Sequence, residues 1–162
     1  MNDQKITTVL LDIDGVINVL DAPESHELRD AAGRVTGYLD LQREVVDALK
    51  VLVEDFSSPT VRFLWMSSWN EKSKALTPFG LPDLDHLPVD REREADSKIE
   101  GLLSCAASGP TIWVDDFVEE WADLVRSRST PEVMDNVLMI QSRPHGLDLE
   151  DLAGIEQLVT RL

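Results

Sequence analysis

The chain has 162 residues, which is enough for one domain with a sizeable core. It carries 31 Asp and Glu against 15 Lys and Arg, and the formal net charge of −16 disfavours non-specific binding to nucleic acid and to anionic membranes. A single cysteine, Cys105, excludes an intramolecular disulfide and a cysteine-based zinc cluster. Because the first residues contain no apolar signal core and no later run reaches membrane-spanning length, we predict one cytoplasmic domain over 1–162.

The first predicted strand delivers two carboxylates. Residues 9–11 form a short apolar run that is followed by Asp12, Asp14 and Gly15. Side chains alternate along an extended strand, so we expect Asp12 and Asp14 to point the same way and to converge on one spot. Gly15 permits a backbone conformation that other residues adopt only with strain, which lets the chain turn sharply after the pair.

A polar segment and then alternating helices and strands follow. Residues 18–41 are broken by one proline and two glycines, which predicts a short flap or hairpin over the site, with a turn at Ala32-Gly33. Residues 76–93 contain three prolines and a glycine, so we expect a loop with at most one helical turn there. Hydrophobic periodicity predicts helices over 42–56, 96–107, 117–126 and 149–159, and strands over 61–66, 111–114 and 137–140.

The alternation of apolar strands with helices is typical of a parallel sheet covered on both faces. In such sheets ligands bind beyond the carboxyl ends of the strands. The residues just after three of the predicted strands are carboxylates or hydroxyls, namely Asp12 with Asp14, Ser67 with Ser68, and Asp115 with Asp116. The sequence therefore predicts an α/β fold, a three-layer Rossmann-like parallel sheet with helices on both faces, and a site at one edge of the sheet.

Carboxylates gathered in this way would repel one another without a counter-charge. A hard divalent cation resolves the repulsion, and Mg²⁺ is favoured because it takes oxygen ligands and keeps several waters. With Mg²⁺ on a phosphate oxygen, Asp12 could attack phosphorus to form an aspartyl-phosphate. Asp14 could protonate the leaving oxygen and later activate water. The candidate metal ligands are Asp12, Asp14, Asp115 and Asp116.

These residues resemble the four motifs of the haloacid dehalogenase-like hydrolases. The motifs are DxDG after an apolar strand, a serine ending a second strand, a lysine opening a helix, and DD ending a third strand, and they occur in order from Val9 to Asp116. In that family an aspartate at the position of Asp14 separates phosphatases and phosphotransferases from dehalogenases. The resemblance therefore implies a phosphatase with little or no cap domain, in which residues 18–41 form only a short flap over the active site.

The resemblance also implies a role for each matching residue. It makes Asp12 the nucleophile, Asp14 the general acid and base, Ser67 the phosphoryl ligand, Lys98 the balancing charge and Asp115 a Mg²⁺ ligand, with Asp116 bound directly or through water. On the residues alone, Ser68 competes with Ser67 and could instead cap a helix, while Lys72 and Lys74 compete with Lys98. The predicted substrate-binding residues are Gly15, Ser68, Trp69, which could stack a base, and Arg143, which like His145 could bind phosphate.

The substrate is suggested by finer features of the sequence. WMSSWN, IWVDDF and RPHGLDLEDLAGI are similar to segments of the compact domains of this superfamily that occur in multifunctional RNA-repair proteins and as standalone relatives. This similarity implies a nucleotide or a polynucleotide end as substrate. The alternatives are a phosphatase that acts on a small metabolite or a phosphoprotein, and a non-catalytic interaction domain that binds metal or phosphate.

Overall fold

A parallel sheet and one β-hairpin form the framework of the protein. The computed structural model describes residues 5–162. The strands are β1 (Thr7–Leu11), β2 (Glu24–Arg29), β3 (Val35–Leu41), β4 (Val61–Trp65), β5 (Thr111–Asp115) and β6 (Val137–Gln141). The α-helices are α1 (Arg43–Phe56), α2 (Glu94–Ala106), α3 (Val118–Arg128), α4 (Pro131–Met134) and α5 (Leu149–Arg161).

The sheet has the order β4-β1-β5-β6, and every neighbouring pair is parallel. All residues of the central strand β1 are buried, as expected for a strand covered on both faces. Val9 and Leu11 pack into a core shared with α1 and α5, whereas Leu10 packs into a second core with α2 and α3. The predicted α/β architecture, a parallel sheet with helices on both faces, is confirmed.

The helices follow from their sequence patterns. In α1 the buried residues are Val45, Val46, Leu49, Leu52 and Val53, which recur at helical spacing. The last helix, α5, begins with a capping box in which the Asp148 side chain accepts from the Asp151 N–H and the Asp151 side chain accepts from the Asp148 N–H. No helix within residues 5–162 combines the length and apolarity needed to span a membrane.

The polar segment after β1 contains an antiparallel hairpin, β2–β3. At its tip Gly33 has a φ of +77°, and the Asp30 carboxylate accepts the backbone N–H groups of Ala32 and Arg34. Leu39 and Leu41 are buried in the core that β1 shares with α1 and α5. The prediction of a hairpin with a turn at Ala32-Gly33 is confirmed, and the two leucines explain why this polar segment is held against the domain.

Three local features differ from the predictions. A 3₁₀ helix occupies Asn70–Phe79 and its last residues extend into the predicted loop. A 3₁₀ turn at Arg91–Arg93 precedes α2, so this helix begins at Glu94 and places Lys98 in the second turn instead of the first. The short helix α4 was not predicted because four residues carry no periodic signal.

Candidate functional site

Three neighbouring strand ends meet at the carboxyl edge of the sheet. Asp12 follows β1, Ser67 follows β4, and Asp115 ends β5. One carboxylate oxygen each from Asp12, Asp115 and Asp116 lies within 4.8 Å of the others. The side chain of Asp14 is not part of this three-carboxylate cluster. The structure therefore brings together three of the four carboxylates that were predicted to bind metal.

The cluster contains one buried cation, Lys98. Its Nζ lies 3.0 Å from Asp12 Oδ2 and 2.8 Å from Asp115 Oδ2, and the residue is only 1% exposed. Glu94 Oε1 is 3.3 Å from the same nitrogen. The competing residues Lys72 and Lys74 are exposed on the 3₁₀ helix. Lys98 is thus the lysine that balances the charge of the cluster.

The cluster nevertheless keeps an excess of negative charge. Burial, together with the nearby charge of Asp115, raises the pKa of Asp12 to about 7 even though Lys98 acts in the opposite direction. Burial and the same neighbour raise the pKa of Asp116 to about 6. Burial alone would lower the pKa of Lys98, but the charges of Asp12 and Asp115 outweigh it and raise that pKa. A bound cation would relieve this repulsion.

Gly15 lets the chain pass close to Asp116. Its φ is +75°, and a Cβ atom at this position would lie 2.3 Å from Asp116 Oδ2. Both the backbone conformation and the close approach therefore require glycine. The Gly15 carbonyl accepts a hydrogen bond from the buried hydroxyl of Ser142, at 2.9 Å, which ties this turn to the end of β6.

The two serines after β4 have different surroundings. Ser67 is 1% exposed and lies beside Asp12. Within residues 5–162 the Ser67 Oγ has no partner in hydrogen-bond geometry. Ser68 is half-buried, and its carbonyl accepts from Arg91 Nε at 3.0 Å. A buried hydroxyl without a partner next to a carboxylate is available to a ligand, and this favours Ser67 over Ser68.

Asp14 lies at the mouth of the site instead of in the cluster. Its Oδ1 accepts from Asn18 Nδ2 at 2.7 Å, and its Oδ2 accepts from Trp69 Nε1 at 2.8 Å. Because β1 ends at Leu11, the alternation of a strand does not continue to Asp14. Asp12 is 5% exposed whereas Asp14 is an exposed residue, so the two carboxylates have different surroundings.

The loop after β6 borders the other side of the site. Arg143 lines a depression of about 540 Å³ together with Gly15 and Asp116. Its guanidinium lies 2.9 Å from Asp148 Oδ2, so its charge is already paired. Ser142 was not predicted as a site residue, although it follows a strand just as Ser67 does. Asn18 was not predicted either, and its partner Asp14 lies four positions earlier in the chain.

Taken together, the site offers hard oxygen ligands, a buried lysine and a free hydroxyl at one edge of a parallel sheet. The residues Asp12, Asp115 and Asp116 fit a divalent cation, because their oxygens lie close together and their charge is only partly balanced. Comparisons of the chain with family models, with curated proteins and with solved structures find no match.

Proposed function

We propose that the protein is a Mg²⁺-dependent phosphatase that hydrolyses phosphomonoesters through an aspartyl-phosphate on Asp12. The observation that carries the proposal is the cluster of Asp12, Asp115 and Asp116 around the buried amine of Lys98. The resemblance of the motifs to haloacid dehalogenase-like hydrolases supports phosphoryl transfer as the chemistry. A haloacid dehalogenase-like form of the fold, with the β2–β3 hairpin in place of a cap domain, is part of the same proposal.

The three clustered carboxylates would hold the metal. When bound, Mg²⁺ would neutralise charge on a phosphate oxygen and so allow a carboxylate to approach an anionic substrate. Lys98 lies against Asp12 and lowers the pKa of this carboxyl, which favours the ionised nucleophile. The Ser67 hydroxyl, which lacks a partner within residues 5–162, would donate to a phosphoryl oxygen.

The proposed reaction has two steps. A carboxylate oxygen of Asp12 attacks phosphorus, the bond from phosphorus to the leaving oxygen breaks, and Asp14 gives its proton to that oxygen. Water then attacks phosphorus, Asp14 takes a proton from the water, and the bond to Asp12 breaks to release inorganic phosphate. Asp14 suits the role of general acid and base because it is exposed at the mouth of the site, where substrate and water enter.

The substrate is proposed to be a nucleotide or a polynucleotide end, ahead of a small metabolite or a phosphoprotein. The tryptophan and glycine context of the motifs, which is similar to that of the RNA-repair domains, supports this preference. The net charge of −16 weakens the case for a long polyanion, because contacts to several phosphates normally supply much of the affinity for nucleic acid.

The test is phosphate release from an aryl phosphate with Mg²⁺, compared between wild type, Asp12→Asn and Asp83→Asn. Asp83 is an exposed aspartate outside the cluster, so its variant controls for the change in charge. We expect Asp12→Asn to lose at least about a thousandfold in rate, because the nucleophile is removed, and Asp83→Asn to keep full activity. Wild type should also lose activity in EDTA.

Two results would contradict the proposal. One is the absence of phosphate release from the aryl phosphate and from a broad panel of phosphomonoesters. The other is an Asp12→Asn variant as active as wild type. Tight Mg²⁺ binding without turnover would instead indicate a metal-binding interaction domain.

A further inference from the structure

Apart from Asp14 itself, a cleft beside this residue is lined by side chains that the proposed hydrolysis does not use. It consists of two adjoining depressions of about 490 and 560 Å³ that share Leu28, Thr36, Trp69 and Lys72. The first depression also contains Asp14, and the second extends along the 3₁₀ helix as far as Phe79. The cleft therefore leads from the mouth of the site into the space between the hairpin and the 3₁₀ helix.

The far part of the cleft has an apolar and aromatic side along the 3₁₀ helix. Its lining includes Leu28 from the hairpin, and Ala75, Pro78 and Phe79 from the 3₁₀ helix, while the hairpin also contributes the charged residues Glu27, Arg29 and Asp30. Trp69 borders both depressions, and its indole N–H is fixed by the hydrogen bond to Asp14. Depressions of this size hold one small ligand, and an aromatic lining favours a planar ring.

The near part of the cleft carries two cations that form no ion pair with a carboxylate. Of the 15 lysines and arginines, all within residues 5–162, nine pair with a carboxylate there, and Lys72 and Arg91 are among the six that do not. Both border the first depression. The two carboxylates in the lining of this depression have other partners: Asp14 accepts two N–H groups, and Glu94 lies 3.3 Å from Lys98, so neither forms an ion pair with Lys72 or Arg91.

We propose that the substrate is a small phosphomonoester whose leaving group carries a planar ring and a second anionic group, as in a nucleoside 3′,5′-bisphosphate. The ring would occupy the apolar part of the cleft, and Lys72 with Arg91 would bind the second anion. This inference rests on the proposed phosphatase function and deepens it. A single small molecule fits the two depressions, whereas a polymer would meet the repulsion of a chain with a net charge of −16.

The test compares kcat/KM for an aryl phosphate, adenosine 5′-monophosphate, adenosine 3′,5′-bisphosphate and a 3′-phosphorylated oligonucleotide. The variants are Lys72→Gln, Arg91→Gln and, as a matched control, Lys74→Gln. Lys74 is an exposed lysine on the same 3₁₀ helix that does not line the cleft. We expect wild type to prefer the bisphosphate over the monophosphate by about fivefold or more, and Lys72→Gln to remove that preference.

The outcomes separate the two proposals. Activity on the aryl phosphate should be unchanged in Lys72→Gln and Lys74→Gln, and its absence in wild type would contradict the phosphatase function itself. If wild type hydrolyses the aryl phosphate but does not prefer the bisphosphate, only the present inference is overturned. The same holds if Lys72→Gln and Lys74→Gln change the preference for the bisphosphate equally. A preference for the oligonucleotide would indicate a polymeric substrate and overturn it too.

Binding to an inactive variant provides a second measurement. Asp12→Asn should bind adenosine 3′,5′-bisphosphate, and adding Lys72→Gln should weaken that binding about fivefold while adding Lys74→Gln should not. Arg91 also donates to the Ser68 carbonyl. Loss of aryl phosphatase activity in Arg91→Gln would therefore indicate a disturbed backbone around Ser68, and not the loss of anion binding. Lys72→Gln therefore decides the test.

Discussion

Asp12 is expected to make the metal-free protein less stable, so that Asp12→Asn stabilises it while abolishing activity. The pKa of Asp12 rises from 3.8 to about 7 in the fold, chiefly because the residue is buried. A folded pKa above the unfolded value means that folding favours the protonated form, so stability is lost as the pH rises from about 4 to about 7. At pH 8 the ionised carboxylate costs about 4 kcal/mol, and at pH 5 about 2 kcal/mol.

The assay is chemical denaturation in EDTA at pH 5 and pH 8 for wild type, Asp12→Asn and the control Asp83→Asn. The asparagine does not titrate, so its stability advantage over wild type should grow by about 2 to 3 kcal/mol between the two pH values. Asp83→Asn should show no such change. The reasoning would be refuted if the difference between Asp12→Asn and wild type did not depend on pH, or if wild type were the more stable protein at pH 8.

Two further predictions concern the neighbours of Asp12. Lys98→Met leaves Asp12 and Asp115 without their buried cation, and it should destabilise the metal-free protein by about 3 to 5 kcal/mol in the same denaturation assay and abolish phosphate release. Gly15→Ala places a Cβ against Asp116 at a positive φ, and it should cost about 1 to 3 kcal/mol and weaken Mg²⁺ binding measured by calorimetry. Its matched control, Gly154→Ala, adds a Cβ to open space on α5 and should stabilise the protein by about 0.5 to 1 kcal/mol.

The sheet was predictable because its inner strands contain short apolar runs with polar residues on both sides. The five residues of β1 and the five of β5 are all buried, and the apolar residues within them form continuous runs, 9–11 and 112–114, between polar residues. Parallel strands then bring their carboxyl ends to one edge of the sheet. Asp12, Ser67 and Asp115 could be placed together on this ground alone, without any knowledge of their side-chain contacts.

The position of the Asp14 side chain could not be predicted in the same way. It lies beyond the end of β1, where no backbone ladder fixes the direction of side chains. Its partners are Asn18, in the turn that follows, and Trp69, which lies 55 residues later in the chain. The periodicity of a strand contains no information about such a contact.

The cleft between the hairpin and the 3₁₀ helix illustrates the same limit on a larger scale. Prolines, glycines and polar residues predict a hairpin in one of these segments and a loop in the other, but they do not indicate that Leu28 and Phe79 border one depression. The catalytic proposal depends on strand ends, which the sequence does locate, whereas the substrate proposal depends on loops that become adjacent only in the fold. A change at Lys72 should therefore alter which substrate is used, and a change at Asp12 should remove the chemistry for every substrate.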